Sequence, residues 1–330
     1  MDAPEKDPSL QPSPNYGSLG PGADVQLNGA PAAAEPAKKR IPVGRIVLID
    51  AVAMLLGLVI AFRAQPVRAA WEQIATAFGM KQPDAASPVM SESEVKSIER
   101  MPPERQAAFW LDRAVHHHRD GLDQIAARVD EWRGKMSTTS QLTSAIDMGL
   151  NADDMQVRAA TVEVQLAAYK VNKTSEAMDT LVTQAESDAS SRPWALWTIG
   201  LLGNRGVQPE RAADVLINYL HDPNEDTRKW AVEGLGHLGT DAVIQPLLTT
   251  LHDDTSAAVR ERAACNLAAS GMLTREQRRT AVPKLLDYTS DETLDGPTRG
   301  WVFQALHDIT QQNISNNPDA WRTWYQSSQN

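Results

Sequence analysis

The amino-acid sequence predicts an all-α fold, a solenoid of about five stacked helical hairpins, and three observations carry this prediction. A helical segment that begins near an arginine recurs at intervals of 32 to 39 residues, with these arginines at Arg158, Arg192, Arg228, Arg260 and Arg299. A second helical pattern follows each of the first four segments and ends on an acid, at Asp188, Asp222, Asp254 or Asp291. Turns containing Asp, Pro, Asn or Gly punctuate these patterns, as expected for breaks between helices.

The stretch DPNEDTRKWAVEGLGHLG, which begins at Asp222, shows how one unit is built. Its apolar positions form a stripe with a period near 3.6, which indicates one buried helical face. Gly239 is suited to the left-handed conformation that ends a helix. A helix of three turns cannot bury its stripe alone, so we expect neighbouring hairpins to cover one another.

The Arg-x-x-Ala-Ala/Val-x-x-Leu-Gly pattern after an Asp-containing turn, followed by AVIQPLLTTLHDD, resembles bacterial HEAT repeats of the phycobilin-lyase type. The resemblance covers about residues 154–310 and is most specific in the two central repeats. It implies that first helices line the convex side of the solenoid and second helices the concave side. The family's structural Asp–Arg turn pairs are matched by Asp222 with Arg228 and by Asp254 with Arg260.

The domain organisation predicted from these patterns has six parts. They are a disordered tail (1–40), a transmembrane helix (44–63), a linker (64–103), N-terminal helices (104–150), the HEAT-like repeats (151–314) and a C-terminal capping helix (315–330). The tail is rich in small and polar residues and has too few large apolar side chains to fold.

The apolar segment 46–62 is expected to anchor the chain in a membrane, although a cleaved signal or a buried helix remains an alternative. Four cations precede it and two follow it, namely Lys38, Lys39, Arg40 and Arg45 against Arg63 and Arg68. This bias predicts a single-pass protein of the bacterial cytoplasmic membrane, with the N-terminus inside and the solenoid in the periplasm. Asp50 lies within the segment, where it either reaches the interface or has a function.

A heptad-like seam runs through residues 108–132 and indicates a long amphipathic helix. The helix either covers the open start of the solenoid or forms a homodimer. Gly121 weakens it near its middle and is a candidate for dividing it.

Composition and motifs exclude several classes of function. A net charge of −10 argues against nucleic-acid binding, which needs a basic surface. The single cysteine, Cys265, allows no internal disulfide and is expected in the core rather than in catalysis. Asp112, His116 and Asp120 share one face of a helix, but such residues are common on solvated surfaces. We therefore expect no resident metal and no cofactor.

Two sets of residues are candidates for binding a protein or peptide. Small or polar side chains occur four residues before each terminal acid of the second helices, at Gln184, Asn218, Thr250 and Asp287. Tryptophans occur two residues after the arginine in three repeats, at Trp194, Trp230 and Trp301. These tryptophans either pack between hairpins or form an aromatic strip for a partner.

The function expected from the sequence is that of a membrane-anchored scaffold that binds another protein and has no catalysis of its own. The alternative is a bilin-lyase-like activity or a tetrapyrrole chaperone, which follows from fold analogy alone.

Overall fold

The computed structural model describes residues 90–328, and within this range every regular element is a helix. This confirms the all-helical fold and agrees with a solenoid of HEAT repeats. The N-terminal helices are α1 (Glu92–Glu99), α2 (Pro103–Val115), α3 (Arg119–Trp132) and α4 (Ser140–Leu150). The hairpins contain α5 (Met155–Ala168), α6 (Ser175–Ser187), α7 (Arg192–Asn204), α8 (Pro209–Tyr219), α9 (Glu225–Leu238), α10 (Ile244–Asp253), α11 (Ala257–Ala268), α12 (Arg275–Arg279), α13 (Val282–Tyr288), α14 (Gly296–Thr310) and α15 (Pro318–Ser328).

The first helices begin at side chains that cap their free amide groups. Asn224 accepts a hydrogen bond from the amide of Thr227 at the start of α9, and Ser256 caps α11 in the same way. Asp295 caps α14. Gly239 ends α9 with a φ of 64°, a conformation that glycine adopts without strain. Turn chemistry in the sequence therefore fixes where these helices begin and end.

The first helices α7, α9, α11 and α14 lie side by side in one layer, which we call the first-helix layer. Glycines allow α7 and α9 to approach backbone to backbone. A Cβ atom on Gly200 would lie 2.2 Å from the carbonyl oxygen of Gly234. The second helices α6, α8, α10 and α13 each pack against the first helix of the following hairpin. Each stripe is thus buried by neighbouring hairpins, as a solenoid requires.

Helix α5 does not continue this layer but lies across it. At its start, the Arg158 guanidinium donates to the carbonyl oxygens of Ala269 and Gly271, at 3.0 and 2.7 Å. At its end, the ring of Tyr169 lies 5.8 Å from the ring of Trp194 in α7. The helix therefore reaches from the turn after α11 to the start of α7. The sequence predicts α5 as an ordinary first helix, and its crossing position is a difference that the repeat pattern does not reveal.

The heptad seam over residues 108–132 does not run along one long helix, which corrects that part of the prediction, and the helix is divided just before Gly121, the position considered for a division. The chain turns at His116–His118, where His117 has a φ of 61°, and α3 folds back on α2. Gly121 makes this possible, because a Cβ atom there would lie 2.6 Å from the amide nitrogen of Ala114. The seam residues Leu111, Ile125, Val129 and Trp132 are buried inside the same chain. These contacts give no support to homodimerisation through residues 108–132, which stays a prediction.

The C-terminal helix α15 packs against α13 near the end of the solenoid. Trp321 is completely buried, and its ring lies 5.1 Å from the ring of His307 in α14. Trp324 lies 5.7 Å from Trp321 and is partly exposed. The aromatic side of this helix therefore covers the last hairpin.

The predicted localisation in a cytoplasmic membrane is contradicted by the structure. Within residues 90–328, no helix is both long and apolar enough to cross a membrane. The longest of these helices, α14, has 15 residues, whereas a span needs about 20. The segment on which the prediction was based, residues 46–62 with Asp50, lies outside the described residues.

Candidate partner-binding surface

The arginines at the starts of the first helices link each hairpin to the next. Arg228 makes two hydrogen bonds to the carboxylate of Asp254, of 2.8 and 3.0 Å, and donates to the carbonyl oxygen of Asp222 at 3.0 Å. Arg260 donates to the carbonyl oxygen of Asp254 at 2.7 Å and to the carboxylate of Asp295 at 2.6 Å. Each guanidinium thus contacts the turn before its own helix and the turn before the next first helix.

This geometry corrects the sequence-based pairing of Asp222 with Arg228 and of Asp254 with Arg260. Within one repeat the arginine binds the main-chain carbonyl of the aspartate, while its ion pair is with the aspartate of the following repeat. The Arg228–Asp254 pair is largely shielded from solvent, with side chains 12% and 5% exposed. The hydrogen bonds to Asp254 raise the pKa of Arg228. These contacts link neighbouring hairpins, in keeping with the structural role predicted for the Asp–Arg residues.

The predicted tryptophan strip is partly covered by the chain itself. Trp194 is buried and lies under Tyr169 at the end of α5. Trp230 in α9 is only partly buried and packs edge-to-face on Trp197, with ring centroids 6.0 Å apart. Trp301 in α14 is also partly exposed. The three tryptophans therefore do not share one environment. Helix α5 covers Trp194, whereas part of the Trp230 and Trp301 side chains remains accessible to solvent.

Arg262 occupies the equivalent position in α11, two residues after Arg260, and so lies in the same row as the tryptophans. It forms an ion pair with Glu233 of α9, whose side chain is only 6% exposed. Burial raises the pKa of Glu233, and the Arg262 guanidinium acts in the opposite direction. The pair cross-links two first helices beneath the surface. The row Trp230, Arg262 and Trp301 is called the Trp–Arg–Trp row below.

His237 and Trp197 form the interior behind this row. The His237 ring lies 4.1 Å from that of Trp197, and both side chains are buried. Burial lowers the pKa of His237 to about 3, with help from the charges of Arg158 and Arg262, so the imidazole is neutral at pH 7. A neutral, closely packed ring suits a structural role behind the row.

The second-helix candidates do not share one environment. Asn218 and Asp287 are exposed, Gln184 is partly buried, and Thr250 is only 7% exposed. A partner that rests on the second helices would therefore touch two of them readily and one hardly at all. Their role in binding stays a prediction.

The three metal candidates do not converge on one site. His116, in the turn after α2, stays beside Asp112, with its Nδ1 3.5 Å from the carboxylate, whereas Asp120 accepts two hydrogen bonds from Arg113, of 3.0 and 2.8 Å. Within residues 90–328, no group of three or more His, Cys, Asp or Glu side chains has the geometry to hold a metal ion. Cys265 is partly buried, and burial raises the pKa of its thiol to about 11.

Two features of this surface were missed by sequence reasoning. The first is Arg262, whose signal was its position two residues after the repeat arginine, the same position as the tryptophans. The second is the cover that α5 places on Trp194. The sequence does not reveal this cover, because Arg158 occupies the same motif position as the other arginines. Its guanidinium nevertheless binds the carbonyl oxygen of Ala269, which is 111 residues later in the chain.

Comparison with protein-family models gives a match to HEAT repeats over residues 178–268. The matched range runs from α6 to the end of α11 and begins after the crossing helix α5. It supports a HEAT-repeat protein. A search of curated proteins gives no match to this chain.

Proposed function

We propose that this chain is a HEAT-repeat scaffold that binds another protein on its first-helix layer, at the Trp–Arg–Trp row, and carries out no chemistry of its own. HEAT repeats fit a helical scaffold for protein interactions, and the family match covers residues 178–268, which include Trp230 and Arg262. The observation that carries the proposal is the partial exposure of Trp230 and Trp301 on either side of Arg262. Trp and Arg, with Tyr, are enriched where a few side chains supply most of the binding energy.

The contacts beneath the row favour binding because they hold it in place before a partner arrives. Glu233 fixes Arg262 from below, and Trp197 supports Trp230 from the side. The pair of Arg228 with Asp254 sets the distance between α9 and α11. Side chains that are already ordered lose less conformational entropy on binding, which strengthens an interface of a given area.

The position of α5 also supports the choice of this face. The same layer that carries the open row already holds one helix of the chain, through Trp194 and through the main-chain carbonyls of Ala269 and Gly271. The layer is therefore able to bind protein surface by aromatic packing and by carbonyl acceptors. We infer that the partner lies beside α5 on the part of the layer that α5 leaves open.

Site-specific photo-crosslinking in cells that naturally contain the chain tests this proposal. A photoreactive side chain in place of Gln304, which is exposed one turn after Trp301, is expected to capture a discrete partner. The same group in place of Asn218, exposed on α8, is the matched control and is expected to capture little. Trp301→Ala should then reduce capture from position 304 at least several-fold, with unchanged far-UV circular dichroism.

Two results would overturn the proposal. Strong capture from position 218 together with none from position 304 would move binding to the second helices and favour Gln184, Asn218, Thr250 and Asp287. The tetrapyrrole alternative is checked by adding a free bilin to the purified chain. We expect no change in bilin absorbance, and a saturable change at stoichiometric concentration would favour that alternative instead.

A further inference from the structure

The side chain of His252 joins the third hairpin to the fourth. It stands next to the last residue of α10, and its ring lies 4.7 Å from the ring of Tyr288 at the end of α13. The Tyr288 hydroxyl donates to the carbonyl oxygen of Leu248 in α10, at 3.3 Å. The two helices therefore meet through a histidine–tyrosine contact close to the turn that leads into α14.

Both ring nitrogens of His252 face carboxylate oxygens. Nδ1 contacts Oδ1 of Asp253 on the same helix, and Nε2 lies 3.0 Å from Oδ2 of Asp291 in the turn after α13. A carboxylate only accepts hydrogen bonds, so each nitrogen must carry a proton to satisfy this geometry. A neutral imidazole has one N–H, whereas the imidazolium has two.

The two carboxylates differ in how firmly they are held. Asp253 is 65% exposed and is free to turn towards water. Asp291 accepts from the amide and the hydroxyl of Thr293, at 2.9 and 2.6 Å, which fixes its orientation. These bonds, with the one from His252, hold the pKa of Asp291 far below its usual range. The contact that bridges the hairpins is thus made to a fixed and fully ionised acceptor.

The other charged groups around His252 are engaged elsewhere or exposed. On α13, the Lys284 ammonium lies 5.1 Å above the Tyr288 ring, and Asp287 is exposed. On α15, Arg322 contacts the Ser290 hydroxyl, and Asp254 after α10 is bound by Arg228. The carboxylates of Asp253 and Asp291 are therefore the charges that meet the imidazole directly.

We propose that His252 is an imidazolium clasp that joins the third and fourth hairpins, and that its hold on Asp291 weakens when the ring loses a proton and, with it, its positive charge. Deprotonation leaves a lone pair on one ring nitrogen opposite a carboxylate, which removes a hydrogen bond and introduces repulsion. The clasp joins the hairpin that carries Trp230 to the hairpin that carries Arg262, so its release allows the spacing between these two members of the row to change.

The direction of the pKa agrees with this geometry. Burial lowers the pKa of His252, but the hydrogen bonds and charges of Asp253 and Asp291 outweigh it and raise the pKa above the usual value. A raised pKa in the folded state means that the contribution to stability is complete below the unfolded value, near 6.5. It is lost as pH rises through the folded pKa.

Titration of the full chain by NMR, with 13C at Cε1 of histidine, tests the clasp, and His252→Gln assigns the resonance. We expect His252 to titrate above the usual value for histidine, near 6.5, and Asp291→Asn to shift its titration towards lower pH. Titration of His252 at or below the usual value, or no change of its titration in Asp291→Asn, would overturn the proposal.

Hydrogen exchange measured on the same samples reports on the joint itself. After correction for intrinsic pH dependence, amide protection of residues 284–295 should fall several-fold between about pH 5.5 and about pH 8.5, which bracket the histidine titration. In His252→Gln the protection should be low throughout this range. Equal protection at both pH values in the natural chain would show that the joint does not depend on the proton.

Discussion

Replacing Arg158 with alanine tests whether α5 is fastened across the first-helix layer. The guanidinium donates to the carbonyl oxygens of Ala269 and Gly271, and burial lowers its pKa, which shows that it gives up much of its hydration. Hydrogen bonds from a charged group contribute about 1.5–3 kcal/mol each after solvation is included. The guanidinium also donates to the carbonyl oxygen of Ala152. Ala152 is partly exposed and Ala269 is exposed, so their carbonyls are readily hydrated, and we count mainly the bond to Gly271.

On this basis Arg158→Ala should lower the free energy of unfolding by about 2–3 kcal/mol. For a domain of this size that corresponds to a fall in melting temperature of about 4–12 °C. Urea unfolding followed by tryptophan fluorescence measures the change, and hydrogen exchange locates it. We expect faster exchange in residues 269–273, which are 111 or more positions away in the sequence.

Arg211→Ala is the control for this experiment. Arg211 is a partly exposed arginine that forms an ion pair with Asp179, and the two side chains are 41% and 61% exposed. Exposed pairs contribute about 0–1 kcal/mol, so this variant should be nearly unchanged. If Arg158→Ala costs no more than Arg211→Ala and leaves exchange at 269–273 as it was, α5 is not held in the described position.

Three further predictions concern the layer itself. Asp254→Asn should cost about 2–3 kcal/mol in urea unfolding, because Arg228 is then left partly unpaired in a shielded site; a change within about 0.5 kcal/mol would contradict the linking role. Gly200→Ala should lower the free energy of unfolding by about 1–3 kcal/mol, because the added methyl group pushes α7 away from α9. Gly300 has open space around it, so Gly300→Ala should be neutral or stabilising. Equal effects of the two substitutions would refute the close approach of α7 and α9. Alkylation of Cys265 at pH 8 should be far slower in the folded chain than in urea, because burial raises the thiol pKa to about 11, and equal rates would contradict this burial.

The sequence was sufficient to predict the helices and their order, because those signals are local. Capping residues such as Asn224 and the terminating Gly239 act within a few positions of the chain, and apolar stripes specify which face is buried. The C-terminal helix could also be predicted from the sequence, because Trp321 and Trp324 lie on the same side of the helix. Such features need no knowledge of distant partners.

Contacts between repeats could not be predicted in the same way. An arginine at the start of α9 has one aspartate six positions before it and another 26 positions after it, and only the stacking geometry decides that Arg228 pairs with Asp254. Likewise, the motif around Arg158 resembles the motifs around the other repeat arginines, so the sequence could not predict the contact of Arg158 with Gly271. The turn at His117 could not be predicted either. Its residue with positive φ is not a glycine, and the heptad pattern continues across the turn.

The candidate surface was predictable only in part for the same reason. The tryptophans were identified by their shared position, but their exposure depends on α5, which covers Trp194 and leaves Trp230 and Trp301 accessible. Arg262 joins the row through its pair with Glu233, a contact between neighbouring hairpins. Binding surfaces of solenoids are set by how repeats meet, and that information is not in any single repeat.

A distance measurement between the start of α5 and the turn after α11 tests the arrangement on which the proposed surface depends. Spin labels at Gln156 and Ala269, both exposed, are suitable in a chain with Cys265→Ser. A crossing α5, joined to that turn by Arg158, predicts a single short distance, below about 20 Å. An ordinary stack would separate the first and fourth hairpins by three helix spacings, about 24–30 Å, and would place the two labels at opposite helix ends. The resulting distance of about 30–35 Å would contradict the account.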